Sequence, residues 1–143
     1  MTGTERVFFD TAPFIYLVEN HPEYYAPVSE YLVTCANKQV TFLTSVITIA
    51  EFGVVPKRTG KLALLDNLIA MLRDLNFQVV EINQEIAQVS STLRARYNFL
   101  KGIDALQIAA ALHTSCHEFY TNDKPLKTIQ EIKITIASKL TTK

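Results

Sequence analysis

The feature that most constrains this chain is a regular exchange between two hydrophobic periods. Short β-branched and aromatic runs read as five strands: Val7-Phe8-Phe9, Val40-Thr41-Phe42-Leu43, Phe77-Gln78-Val79-Val80, Glu118-Phe119-Tyr120 and Ile132-Lys133-Ile134-Thr135-Ile136. Between them apolar residues recur at helical spacing, as in Leu62, Leu65, Leu68, Ile69 and Leu72, in Ile86, Val89 and Leu93, and in Ile108, Ala111 and Leu112. Strands this apolar need cover on both faces, and parallel neighbours need helical crossovers. The pattern therefore predicts an α/β fold, a three-layer α/β/α sandwich around a mostly parallel five-stranded sheet.

Local signals punctuate the pattern. Pro13 suits a first helical turn after Asp10-Thr11, Ser45 can cap a helix over Val46 to Val55, Gly102 precedes a helical run from Ile103 to Thr114, and Asn76 is a stop after Leu75. With 143 residues, 48% of them hydrophobic, the chain can build one core and has no room for a second. Residues 1–143 are thus read as a single domain, with Met1 to Thr4 and Leu140 to Lys143 as frayed ends. Two cysteines, Cys35 and Cys116, are too few for a disulfide framework. No basic stretch leads into a long apolar run, and none approaches the roughly 18 apolar residues of a membrane span, so a cytoplasmic protein without a membrane partner is expected.

Four carboxylates break the apolar pattern. Asp10 closes the first strand and Asp123 follows the fourth, so adjacent placement of those strands would bring both acids to the sheet edge where ligands of open α/β folds collect. Glu51 interrupts Val46-Ile47-Thr48-Ile49-Ala50-Glu51-Phe52, and Asp104 opens a helix on the face of Ile108 and Ala111. An acid at a strand end or helix start is ordinarily a turn former or cap, which accounts for Asp104 and Asp10 but not for Glu51. Burying ionised carboxylates costs several kcal/mol each unless something compensates, on the order given for ions in protein interiors. No single Lys or Arg stands out as a common partner, so a hard divalent cation, Mg²⁺ or Mn²⁺, is the economical compensator.

Val-Phe-Phe-Asp10-Thr, then Thr44-Ser45-Val46-Ile47-Thr48-Ile49-Ala50-Glu51, then Gly102-Ile103-Asp104-Ala105-Leu106-Gln107-Ile108-Ala109, then Phe119-Tyr120-Thr121-Asn122-Asp123 follow one another in an order that resembles the PIN domain, especially the small single-domain VapC toxins. The resemblance implies a metal-dependent endoribonuclease, the toxin of a type II toxin–antitoxin pair. It maps the acidic cluster onto Asp10, Glu51, Asp104 and Asp123, with Thr121 supporting the site by hydrogen bonding. Asp10 and Asp104 are the expected direct ligands of Mg²⁺ or Mn²⁺, and Glu51 and Asp123 act as ligands or through water. The resemblance further implies a homodimer and a small VapB-like antitoxin whose tail enters the site.

The physical requirements of an RNA substrate agree. A phosphodiester is repelled by bare carboxylates, and a divalent cation inverts that field. The 14 Lys and Arg balance the 14 Asp and Glu, which excludes a highly basic arm; setting the four site acids aside leaves a basic excess. Lys57, Arg58 and Lys61, and Arg94 and Arg96 before Asp104, are candidate phosphate contacts, each equally readable as ordinary solvated surface.

Other motifs are weaker. His113 and His117 with Cys116 between them lack the remaining ligands of a zinc site. The segment Gly53 to Lys61 has the wrong glycine spacing for a phosphate loop, with Leu62 where Ser or Thr is required. Tyr24 and Tyr25 could stack on bases, but aromatics near a helix start usually pack inward. Competing functions are a nuclease of RNA maturation or decay, a non-catalytic PIN-like binding module, and a receiver or phosphotransfer domain; the last lacks a second acid beside Asp10 and leaves Glu51 unexplained.

Overall fold

The computed structural model describes residues 5–138, so the two ends read above as frayed lie outside the described residues. Strand β1 (Arg6–Phe9) is followed at once by α1 (Thr11–Val18) and then α2 (Tyr25–Asn37). Next come β2 (Thr41–Ser45), α3 (Val46–Phe52), α4 (Val54–Thr59), α5 (Leu62–Asp74) and β3 (Gln78–Val80). The chain continues through α6 (Gln84–Arg96), α7 (Gly102–His113), β4 (Glu118–Thr121), a 3-10 turn (Lys124–Thr128) and β5 (Lys133–Ile136).

The sheet has the order β3-β2-β1-β4-β5, and every neighbouring pair is parallel. Alternation along each strand divides the core in two. Phe8, Leu43, Phe119 and Ile134 point to the face covered by α6 and α7, where they meet Ile86, Leu93, Ile108 and Ala109. Val7, Phe9, Phe42 and Tyr120 point to the opposite face, against Phe14, Val28, Leu68 and Leu72 from α1, α2 and α5. The three-layer sandwich expected from sequence is what forms, with the sheet wholly parallel. No helix among the described residues is long and apolar enough to cross a membrane.

One local expectation changes, and one helix had none. The single helix expected over Val46 to Val55 is divided into α3 and α4 at Gly53. Pro56 has no N–H to offer the carbonyl of Phe52, so the ladder is interrupted one turn before the proline. Helix α2 carries no marked periodicity in sequence because only Val28 and Cys35 of its residues are buried and no side chain caps its start. Asn76 does end α5, in the left-handed conformation with φ of 58°.

Candidate active site

The strand order makes the site. From β1 the chain builds outward in both directions, to β2 and β3 on one side and β4 and β5 on the other, so a crevice opens at the carboxyl ends of β1 and β4. Asp10 stands directly after β1 and Asp123 shortly after β4, and the Asp10 N–H donates to the Tyr120 carbonyl at 2.9 Å, extending the ladder to the brink of the crevice.

Asp10 is buried and held at both oxygens. Its Oδ1 accepts from the Thr11 N–H at 2.8 Å, capping α1, and its Oδ2 accepts from the Thr121 hydroxyl at 2.8 Å. Burial pushes its carboxyl above the usual range; the bonds from Thr121 and Thr11 pull the other way, and the charges of Glu51 and Asp123 add to the rise. The Thr121 hydroxyl also accepts from the Asp123 N–H at 3.1 Å, so one threonine ties both acids together.

Asp104, in the first turn of α7, is raised to about 6, first by burial and then by the charges of Asp10 and Asp123. Lys101 beside it works in the opposite direction. Glu51 reaches the same cleft differently. It is exposed, contrary to its expected place on the apolar face of α3, because that short helix turns Thr48 and Phe52 inward instead. Its Oε1 accepts from the Thr11 hydroxyl at 2.6 Å. A cleft of about 300 Å³ is lined by Asp10, Thr11, Ala12, Ile15, Glu51 and Asp104.

Among the described residues no three His, Cys, Asp or Glu side chains are gathered closely enough to enclose an ion by themselves. The donor set is nonetheless wholly carboxylate and hydroxyl oxygen, the chemistry of a hard cation. Mg²⁺ keeps several waters and takes only one or two carboxylates directly, which such an open arrangement can provide.

The basic residues are less concentrated. Lys57, Arg58 and Lys61 are exposed on and after α4, downstream of Glu51. Arg94 lies against the start of α7, with its Nη1 3.7 Å from where a Cβ on Gly102 would be. Arg96 is occupied, bonding Glu131 at 3.1 Å and Gln130 at 3.0 Å. His113 faces Glu85 at 3.6 Å, the His117 Nδ1 accepts from the Arg6 N–H, and Tyr24 stacks on Tyr16.

Sequence reasoning passed over Lys101 and a polar chain behind the cleft: Thr11, Thr44, Thr48 and Gln107. A signal for the last was present, since Gln107 is a polar residue at a core position of an Ala- and Ile-rich helix, and it is fully buried.

The PIN domain family model matches residues 7–132, which is nearly the whole described chain. This chain belongs to the PIN domain family. No curated protein matches it in sequence. Among solved structures, this PIN domain is similar to a chain of VapBC2 from Rickettsia felis, bound in that crystal to a DNA fragment from its promoter (TM-score 0.76, 16% identity, 92% of this chain and 98% of that one). It is similar also to a chain of a toxin–antitoxin complex from Klebsiella pneumoniae (TM-score 0.70, 23% identity, 94% and 99% covered). A third is VapC20 of Mycobacterium tuberculosis, a toxin cleaving the sarcin-ricin loop (TM-score 0.69, 14% identity, 89% and 98% covered). At these identities the likeness establishes a shared PIN fold over nearly the full length of each chain.

Proposed function

We propose that this PIN domain is a Mg²⁺- or Mn²⁺-dependent endoribonuclease and the toxin of a toxin–antitoxin pair. One observation carries the reading: at the switch-point edge Asp10 and Asp123 both raise the Asp104 carboxyl, and Glu51 and Asp123 raise that of Asp10, a burden that a shared cation would relieve. The structural likeness to VapC20 and to VapBC2 supports the choice of RNA hydrolysis and of an antitoxin partner.

Asp10 and Asp104 are the groups that would hold the cation directly, with Glu51 and Asp123 acting directly or through water. The bound ion would supply the Lewis-acid charge that phosphodiester hydrolysis needs. The protein's own part is orientation. Thr121 and the Thr11 N–H fix the Asp10 carboxylate, and a cation bound beside Asp104 would favour its ionised form against the burial and neighbouring charges that raise it. Lys57, Arg58, Lys61 and Arg94 would draw the RNA backbone toward the cleft, giving an affinity that falls with salt.

A second hollow of about 170 Å³, lined by Ile15, Glu19, Glu51, Phe52, Val55 and Pro56, shares Ile15 and Glu51 with the acidic cleft. Its mainly apolar wall supports an antitoxin tail lying across it into the site. The homodimer rests on the family resemblance.

Incubating the purified, partner-free protein with total cellular RNA and Mn²⁺ or Mg²⁺, then mapping new RNA ends, tests the activity. Discrete cuts abolished by EDTA and by Asp104→Asn are expected. Intact RNA in every metal condition would refute the nuclease reading.

A further inference from the structure

A chain of hydrogen bonds runs from the core to Glu51. The Ile47 N–H donates to the Ser45 Oγ at 3.1 Å, and the Ser45 hydroxyl donates to the Gln107 Oε1 at 2.5 Å. That bond orients the amide, because the Gln107 Nε2 is then the end that faces Thr48, donating to its Oγ1 at 2.9 Å. The Thr48 hydroxyl lies 2.8 Å from that of Thr44 and 3.4 Å from that of Thr11. Thr44 in turn donates to the Phe9 carbonyl at 2.8 Å. The last link is the 2.6 Å bond from the Thr11 hydroxyl to the Glu51 Oε1.

Each hydroxyl has one proton, and this limits the directions the chain can take. An ionised carboxylate can only accept, so Thr11 gives its proton to Glu51. Gln107 gives its proton to Thr48, which leaves the Thr48 proton free to point toward Thr44 or Thr11. Ser45, Thr44, Thr48 and Gln107 are all fully buried, whereas Glu51 is exposed. A glutamate on a solvent-facing helix position has three rotatable bonds and no packing to hold them. Here its carboxylate accepts from the Thr11 hydroxyl, which lies 3.4 Å from the Thr48 hydroxyl of the buried network.

We propose that Thr48 and Gln107 are positioning residues for the acidic site, acting through Thr11 to aim the Glu51 carboxylate into the cleft. The same amide ties α7 to α3 and the end of β2. Asp104 stands one turn before Gln107 on the same helix. Partners of this kind behind a cation's ligands typically change metal affinity or activity by 10–100-fold when removed. The inference rests on Glu51 belonging to the proposed site, and its first readout requires neither metal nor activity.

The test compares Thr48→Val, which keeps the shape and removes the hydroxyl, with Thr48→Ser, which restores the hydroxyl. In metal-free protein at one fixed pH, the Glu51 side-chain carboxyl carbon is observed by NMR and assigned with Glu51→Gln. Thr48→Val is expected to move and broaden that resonance, and Thr48→Ser to return it toward its original place. Mn²⁺ titration by calorimetry is expected to show a 10–100-fold weaker affinity in Thr48→Val and near-normal affinity in Thr48→Ser. In a Glu51→Gln background, Thr48→Val should weaken Mn²⁺ binding no further, because the two changes act through one group. Should Thr48→Val fail to fold, Thr11→Val and Thr11→Ser, at the buried threonine that bonds exposed Glu51, give the same comparison for the last link, and Gln107→Asn for the first. A folded Thr48→Val or Gln107→Asn variant with an unmoved Glu51 resonance overturns the proposal, as does full additivity with Glu51→Gln. Absence of Mn²⁺ binding in the wild-type protein, with the resonance still responsive, would instead count against the nuclease reading alone.

Discussion

Replacing Asp104 with Asn should make the metal-free protein more stable at neutral pH, even though it removes a central site residue. The Asp104 carboxyl is raised from 3.8 to about 6 in the folded state by burial and by the charges of Asp10 and Asp123. A carboxyl raised on folding contributes stability that is fully present below its unfolded value and lost as pH climbs through the folded one. The loss therefore falls between about pH 4 and pH 6. The full shift corresponds to about 3 kcal/mol at 1.36 kcal/mol per pH unit, and because Asp104 is only half-buried, water screens this to roughly 1–2 kcal/mol. Asn removes the charge while keeping the shape. Thermal unfolding in EDTA should thus give Tm values that converge as pH falls below about 4 and, at pH 7.5, a Tm higher in Asp104→Asn by about 4–8 °C, using roughly 4 °C per kcal/mol. With excess Mg²⁺ the order should reverse, since only the wild-type site gains binding free energy. A variant less stable than wild type at pH 7.5 in EDTA, or a difference that ignores pH, would refute the reasoning.

Three further outcomes follow from single contacts. Thr121→Val strips the donor from the Asp10 Oδ2 and leaves the Asp123 N–H without its partner, so urea unfolding in EDTA should show a loss of about 2–4 kcal/mol, largely recovered in Thr121→Ser. Lys101→Ala removes the cation that offsets the rise at Asp104, so NMR titration should find the Asp104 carboxyl higher still; if Lys101 also meets phosphate, the slope of RNA affinity against salt should fall by about 1. Gly60→Ala places a side chain at φ of 73° with no neighbour within 4 Å, so chemical denaturation should report a pure backbone cost of about 1 kcal/mol.

The fold was legible because strand and helix periods differ and because the central strands β1, β2 and β4 are short and largely buried. The meeting of Asp10 and Asp123 was legible only on the condition that β1 and β4 lie side by side, and the structure supplies that pairing. Glu51 was harder. Its neighbours Ala50 and Phe52 made its helix read as apolar all round, whereas α3 is too short to be buried on every face and leaves Glu51 outside. Thr48 carries no signal in sequence until its partners are seen, whereas Gln107 does stand out as a polar residue on the buried face of an Ala- and Ile-rich helix, though nothing in sequence shows what it bonds. Arg96 shows the opposite limit: a cation placed near Asp104 along the chain turns away to Glu131 in space.

The central claim is that Asp10 and Asp104 belong to one divalent-cation site. The most direct measurement is calorimetric titration of the metal-stripped protein with Mn²⁺, beside Asp10→Asn and Asp104→Asn shown to be folded. Saturable binding in the wild-type protein and its loss in both variants is predicted. Wild-type protein that takes up no Mn²⁺, or variants that bind it as the wild type does, would contradict the account.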